Sequence, residues 1–214
     1  MAFWRKKSYD RTETLAQAEK ARSQGRTGQA IKLYRAVLAR EPNDAVVHGK
    51  IAPLLARRKK LRGEALASFR LAAQGQLKAG FTDRAIAVLV QAAALFPLET
   101  ELWEEIARLD QTRGRRADAI EALMEGAGHL GKTRPTRPEA ARLLRKALEM
   151  EPWHLEATLR LARVLAKDRQ KDEALALLED IAGRTRGRGR RRVRRAIFRI
   201  SPNPANAWRW LARR

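Results

Sequence analysis

The sequence contains no cysteine, so the chain can form neither disulfide bonds nor thiolate metal sites, and it has no cysteine nucleophile. Aromatic residues make up only 6% of its 214 residues, and strand-favouring residues are sparse. No apolar run approaches the ~20 residues that a membrane-spanning helix needs. The first ten residues carry charge without the apolar run of a secretory signal. We therefore expect a cytoplasmic protein.

Acidic residues are also in short supply, with 24 against 46 basic ones and a net charge of +22. The excess is uneven along the chain. Residues 1–44 carry +5, residues 45–99 carry +6, residues 100–153 are neutral, and residues 154–214 carry +11. A charge concentrated at one end favours an anionic partner there, although arginines that merely decorate a solvated face would give the same composition.

The residues that are abundant, alanine, leucine, arginine and glutamate, are good helix formers. A short pattern recurs in which apolar residues spaced by four and three precede a proline. Its three copies are Ala30, Tyr34, Val37 and Pro42; Ala85, Leu89, Ala92 and Pro97; and Ala140, Leu144, Ala147 and Pro152. The spacing places the apolar residues on one helix face, and the proline ends the helix because it has no amide proton.

A longer period is superimposed on this pattern. The pairs Ile51-Ala52, Ile106-Ala107, Leu161-Ala162 and Leu211-Ala212 follow one another at steps of 55, 55 and 50 residues. The predicted organisation is a basic and aromatic segment at 1–10, a helix pair at 11–44, three-helix units at 45–99, 100–153 and 154–203, and a capping helix at 204–214. Trp208 and Leu211 are expected to pack that cap on the preceding helices.

These copies resemble the tetratricopeptide repeat (TPR), a 34-residue helix pair with small residues where its helices cross. Residues 11–44 match it best, through Ala18, Gly25, Ala30, Tyr34 and Pro42. The resemblance implies an all-α, right-handed α-solenoid of TPR-like hairpins, here with a super-repeat of about 55 residues. It also implies a groove, lined chiefly by the first helix of each pair, that receives a protein partner. A third helix in each unit departs from the strict two-helix alternation of the family.

One stretch, Gly126 to Thr133, satisfies the GxxxxGK[ST] pattern of a phosphate-binding loop. Such a loop needs a strand before it and a helix after it. Here the preceding residues are helical by periodicity, and Pro135 and Pro138 follow. We therefore interpret the stretch as a glycine-rich helix end and expect no cofactor there.

No other pattern indicates chemistry. His48, His129 and His154 lie in different units, so no two of them offer metal ligands on one helix face. His48 aligns with Trp103 and Trp208 and is predicted to be a packing residue. Carboxylates such as Glu105 have the spacing of ordinary intrahelical ion pairs. We expect no catalytic residue, no metal, no cofactor and no small-molecule substrate.

The most distinctive segment is an arginine-rich stretch over 184–195, which we expect to form a loop with a flexible first half. Its second half leads into a short helix, suggested by Val193, Ile197 and Ile200, with a basic face at Arg191, Arg194, Arg195 and Arg199. Its eight arginines are the candidate anion- or partner-binding residues: Arg184, Arg186, Arg188, Arg190, Arg191, Arg192, Arg194 and Arg195. Guanidinium groups suit phosphates and carboxylates, so nucleic acid, anionic lipid and an acidic protein are all adequate partners. A solvated turn is the alternative, and the absence of aromatic residues among the arginines gives stacking on single strands no support.

Two functions follow from these features. The first is a non-enzymatic scaffold or adaptor that binds a protein partner, with an acidic surface, in its helical groove. The second is a nucleic-acid-, ribosome- or anionic-membrane-associated helical protein that is anchored by the basic C-terminal third.

Overall fold

The computed structural model describes residues 9–202, and every regular element within that range is helical. The expected fold class, an all-α TPR-like protein, is confirmed. The expected capping helix at 204–214, with Trp208 and Leu211, lies outside the described residues, as does most of the basic segment at 1–10.

The chain divides into two compact units, residues 1–96 and residues 97–214. The helices of the first are α1 (Arg11–Ser23), α2 (Thr27–Leu38), α3 (Ala45–Ala56), α4 (Arg62–Lys78) and α5 (Thr82–Leu95). Those of the second are α6 (Thr100–Thr112), α7 (Arg116–Leu130), α8 (Arg137–Met150), α9 (Leu155–Lys167), α10 (Lys171–Arg184) and α11 (Gly187–Ile200). Short 3₁₀ turns at Lys59–Leu61 and Arg134–Thr136 precede α4 and α8.

The apolar stripes of these helices face their neighbours, and small residues are among those buried between them. Ala18 of α1 and Ala30 of α2 are completely buried, as is Tyr34 one turn further along α2. The middle helix of each three-helix segment packs on both neighbours: α4 contacts α3 and α5, α7 contacts α6 and α8, and α10 contacts α9 and α11. Each helix thus buries a stripe that it could not bury alone.

The turn between two helices of a pair requires a left-handed backbone residue. Gly25, Gly80 and Gly114 adopt φ values of +72°, +79° and +73°, each two residues after the last residue of α1, α4 or α6. Glycine suits this position because it has no Cβ. After α9 the same position is occupied by Arg169, with φ of +68°.

The arginine-rich stretch is not the loop that we expected over 184–195. Arg184 is the last residue of α10, only Thr185 and Arg186 separate the helices, and α11 begins at Gly187. The prediction was wrong because arginine is a good helix former, and because the buried Val193 and Ile197 hold the whole segment against its neighbours. The two glycines are accommodated within the first turn of the helix, where Gly189 lies close to Leu155.

Asp44 caps the N-terminus of α3. Its carboxylate accepts hydrogen bonds from the backbone N–H groups of Val46 and Val47, and the Arg11 guanidinium donates to it at 2.5 Å. Partial burial alone raises the pKa of Asp44, but the bonds from Val47 and Arg11 outweigh burial and hold that pKa below its usual range.

We expect Asp44→Ala to lower the free energy of unfolding by about 1–2 kcal/mol near neutral pH, because the cap is lost. Because the pKa of Asp44 is lower in the folded state than in the unfolded state, its ionised carboxylate stabilises the fold above the unfolded pKa of about 4. This contribution disappears as pH falls through the folded pKa. Urea denaturation at pH 7 and pH 3 should therefore show a gap between wild type and variant that narrows in acid. Asp44→Asn is the control variant, because its side-chain oxygen can still cap the helix but carries no charge. A gap independent of pH would contradict this role of the charge.

Candidate partner-binding groove

The surface between α9 and α11 forms a groove of about 420 Å³ with an apolar floor and a cationic rim. We call it the basic groove. Its floor consists of Leu159, Ala162, Ala166, Ala196 and Ile200, and its rim consists of Arg163, Lys167, Lys171, Arg192, Arg195 and Arg199. No carboxylate lines it.

Helical spacing explains why these side chains converge. On α9, Arg163 and Lys167 are four residues apart and therefore share a face with the alanines of the floor. On α11, Arg192, Arg195 and Arg199 are spaced by three and four residues. Val193 and Ile197, on the neighbouring face of α11, are buried and fix the rotation of the helix. The arginine row spans about 10 Å, which is two helical turns.

One rim residue is neutralised within the protein. A carboxylate oxygen of Glu156 lies 2.5 Å from the Arg192 guanidinium, and its second oxygen lies 3.0 Å from Arg160. Partial burial raises the pKa of Glu156, but the bonds from Arg192 and Arg160 outweigh burial and lower the pKa overall. Within residues 9–202, no ion pair involves any of the other rim cations, Arg163, Lys167, Lys171, Arg195 and Arg199.

The first unit contains a corresponding groove between α1 and α3, whose lining includes Glu19, Arg22 and Lys50. Ala18 of α1 and Ala162 of α9 are both buried, and both lie seven residues before the left-handed turn residue. The residue after Ala18 is Glu19, which pairs with Lys50 at 2.6 Å and Arg22 at 2.8 Å.

The residue after Ala162 is Arg163. A cation thus stands where the first groove has the carboxylate that pairs with two of its cations. The basic groove of the second unit is left with cations that the described chain does not balance.

The eight predicted arginines are distributed over several surfaces. Arg192 and Arg195 line the basic groove, whereas Arg194 is half-buried on the other flank of α11. Exposed positions outside the groove are occupied by Arg184, Arg186, Arg188, Arg190 and Arg191. Sequence reasoning missed Arg163, Lys167 and Lys171, because they are single cations on other helices. The signal that could have found them is the i, i+4 spacing of Arg163 and Lys167.

The phosphate-loop pattern has the structure of a helix end, as interpreted from the sequence. Gly126 and Gly128 lie inside α7, where the helix uses the backbone amides, and Gly131 follows its last residue. A Cβ at Gly126 would lie 2.4 Å from Cγ of Trp103, so this glycine permits close packing of α7 on α6.

The histidines have structural roles. His48 is 7% exposed, and its Nε2 lies 2.8 Å from the Pro42 carbonyl oxygen, while Trp103 donates from Nε1 to the Pro97 carbonyl at 3.1 Å. The predicted equivalence of His48 and Trp103 is thus seen in the hydrogen bond to a carbonyl six residues earlier. His154 caps α9, and His129 stacks on Trp103.

The described part of the chain offers neither a metal cluster nor a membrane-spanning helix. Residues 9–202 contain no cluster of three or more histidine, cysteine, aspartate or glutamate side chains placed to hold a metal ion. Among the helices of the same range, none combines the length and apolar character needed to cross a membrane.

A family model described as the bacterial transcriptional activator domain matches residues 3–133, which is more than half of the chain. The chain belongs to the bacterial transcriptional activator domain family. A second model, described as a tetratricopeptide repeat, matches residues 137–197, which include every residue of the basic groove except Arg199 and Ile200. The chain is thus a TPR-type repeat protein. None of the curated proteins matches it.

Solved structures, two of them described as TPR proteins, are also similar to the chain. A tetratricopeptide repeat protein from Parabacteroides merdae is 14% identical, with 94% of this chain and 89% of that chain covered and a TM-score of 0.33. YrrB, described as a TPR protein with an unusual peptide-binding site, is 15% identical, with 92% and 90% covered and a TM-score of 0.32. MamA is 17% identical, with 81% and 90% covered and a TM-score of 0.30.

Proposed function

We propose that this family member is a non-enzymatic scaffold that binds an acidic segment of a partner protein in the basic groove. The observation that carries the proposal is the set of rim cations without a carboxylate partner in the described chain, above an apolar floor. A partner with aspartate or glutamate side chains would complete the ion pairs that Glu19 supplies in the first unit. Complementary charge of this kind sets specificity and association rate.

The floor supports a segment that also carries apolar side chains. Ala162, Ala166 and Ala196 are small, so a partner backbone can approach α9 and α11 closely. A segment with leucine-like residues on one face and carboxylates on both flanks fits the floor and the two rims together. The family description, a bacterial transcriptional activator domain, supports a partner from the transcription machinery.

The double charge reversal Arg163→Glu and Arg195→Glu tests the proposal, because it changes one residue on each wall of the groove. The probe is a labelled peptide of about 15 residues with leucines on one face and glutamates on both flanks. We expect fluorescence anisotropy to show about 30-fold weaker binding by the variant, since two ion pairs of about 1 kcal/mol each are lost.

The matched control is Arg190→Glu with Arg191→Glu, which changes the net charge equally on an exposed part of α11 outside the groove. This control should bind the peptide nearly as well as wild type does. Equal losses in both variants would mean that the peptide responds only to overall charge. A peptide that binds neither variant nor wild type would also refute the proposal.

A further inference from the structure

The end of the second unit at which α11 begins carries a second basic surface, separate from the groove. It is formed by the loop between α8 and α9 together with the residues that join α10 to α11. We call it the arginine end and define it by Trp153, Arg184, Arg186, Arg188 and Arg190. None of these residues lines the basic groove.

Trp153 provides the aromatic group that the arginine-rich stretch lacks in sequence. Its side chain is 49% exposed, and the central guanidinium carbon of Arg184 lies 3.5 Å from the centroid of its ring. That distance is a stacking contact. The Arg184 side chain is itself 54% exposed, so its guanidinium covers one face of the indole, and the stacked pair forms a platform that is open to solvent.

The charges around this platform are strongly unbalanced. Asp180 lies 3.6 Å from Arg184, which is a long ion pair, and Glu151 lies in the same loop as Trp153. Within residues 9–202, no ion pair involves Arg186, Arg188 or Arg190, and all three are exposed. Arg188 and Arg190 belong to the first turn of α11, so the three lie within five residues of one another.

We propose that the arginine end binds single-stranded nucleic acid, with a base stacked on the Trp153–Arg184 platform and phosphates held by Arg186, Arg188 and Arg190. Bases stack on both aromatic rings and guanidinium planes, and arginine forks match phosphate geometry. A duplex fits less well, because its bases are already stacked on one another. An anionic membrane also fits less well. Trp153 is the one large apolar side chain of this surface, and Val193 and Ile197 are buried.

The experiment measures the affinity of the full chain for an oligothymidylate of about 15 nucleotides by fluorescence anisotropy, from ~50 to ~200 mM salt. Trp153→Leu removes the platform without changing charge, so we expect about 10-fold weaker binding with an unchanged salt slope. Arg186→Glu with Arg190→Glu removes two phosphate contacts, so we expect the slope of log affinity against log salt to fall by about 1.4. Trp153→Phe should restore much of the binding.

Two further probes make the result decisive. The groove variant Arg163→Glu with Arg195→Glu should bind the oligonucleotide better than the arginine-end double variant does, and the arginine-end variant should keep its affinity for the acidic peptide. Loss of binding at one of the two sites should therefore leave binding at the other site unchanged. If Trp153→Leu binds the single strand as wild type does, or a matching duplex binds as tightly, the stacking proposal is wrong. It is also wrong if the chain binds vesicles of phosphatidylcholine and phosphatidylserine at about 7:3 but not the oligonucleotide.

Discussion

Replacing Gly126 by alanine is expected to lower the free energy of unfolding by at least about 2 kcal/mol, although alanine is the better helix former. The Cβ of the new residue would lie 2.4 Å from Cγ, 2.7 Å from Cδ1 and 2.9 Å from Cβ of Trp103. Trp103 is 4% exposed, and its ring is held between the Pro97 carbonyl and His129. The ring cannot move aside, so α7 must shift away from α6.

Gly128 is the matched control, because it lies in the same helix two residues later. A Cβ at Gly128 would meet no atom within 4 Å. Gly128→Ala should therefore raise the free energy of unfolding by about 0.5–1 kcal/mol, through helix propensity alone. Urea denaturation followed by circular dichroism measures both variants. Equal effects of the two substitutions would show that Gly126 is not a packing residue, and that its role in the phosphate-loop pattern needs another explanation.

Most of the fold could be predicted from the sequence because helix ends and apolar stripes are local features. The prolines at 42, 97 and 152 follow α2, α5 and α8 within four residues, and glycines occupy the turns after α1, α4 and α6. The start of α11 was missed because local composition and tertiary packing disagree there. Gly187 and Gly189 favour a loop, whereas burial of Val193 and Ile197 favours a helix.

The two candidate sites could be predicted only in part, because each joins residues that are distant in sequence. Arg195 was identified as a candidate, but its counterpart across the groove, Arg163, lies on another helix 32 residues earlier. Trp153 and Arg184 are 31 residues apart, so the sequence gives no sign that an aromatic ring accompanies the arginines. The close contact of Gly126 with Trp103 also depends on how two helices pack, which the glycine pattern alone does not reveal.

Truncating Trp103 should have the largest effect on stability. We expect Trp103→Ala to lower the free energy of unfolding by about 4 kcal/mol, a large part of the total stability of an ordinary domain. The substitution removes a buried indole, leaves the Pro97 carbonyl without its donor, and exposes one face of His129. Trp153→Ala is the control, because it truncates the same type of side chain to the same methyl group. Because Trp153 is about half exposed, we expect it to cost less than about 1 kcal/mol.

Trp103 and Gly126 should also be coupled energetically, since the two shortest contacts of a Cβ at position 126, with Cγ and Cδ1 of Trp103, exist only while the indole is present. In the Trp103→Ala background, Gly126→Ala should therefore destabilise the chain much less than it does in wild type, because only the 2.9 Å contact with Cβ of residue 103 remains, while the new methyl group gains helix propensity and occupies part of the cavity. A double-mutant cycle from four urea titrations measures this coupling. If Gly126→Ala destabilises both backgrounds equally, the contact between α6 and α7 does not limit the residue at position 126. The tryptophan would then stabilise the second unit by its own burial alone.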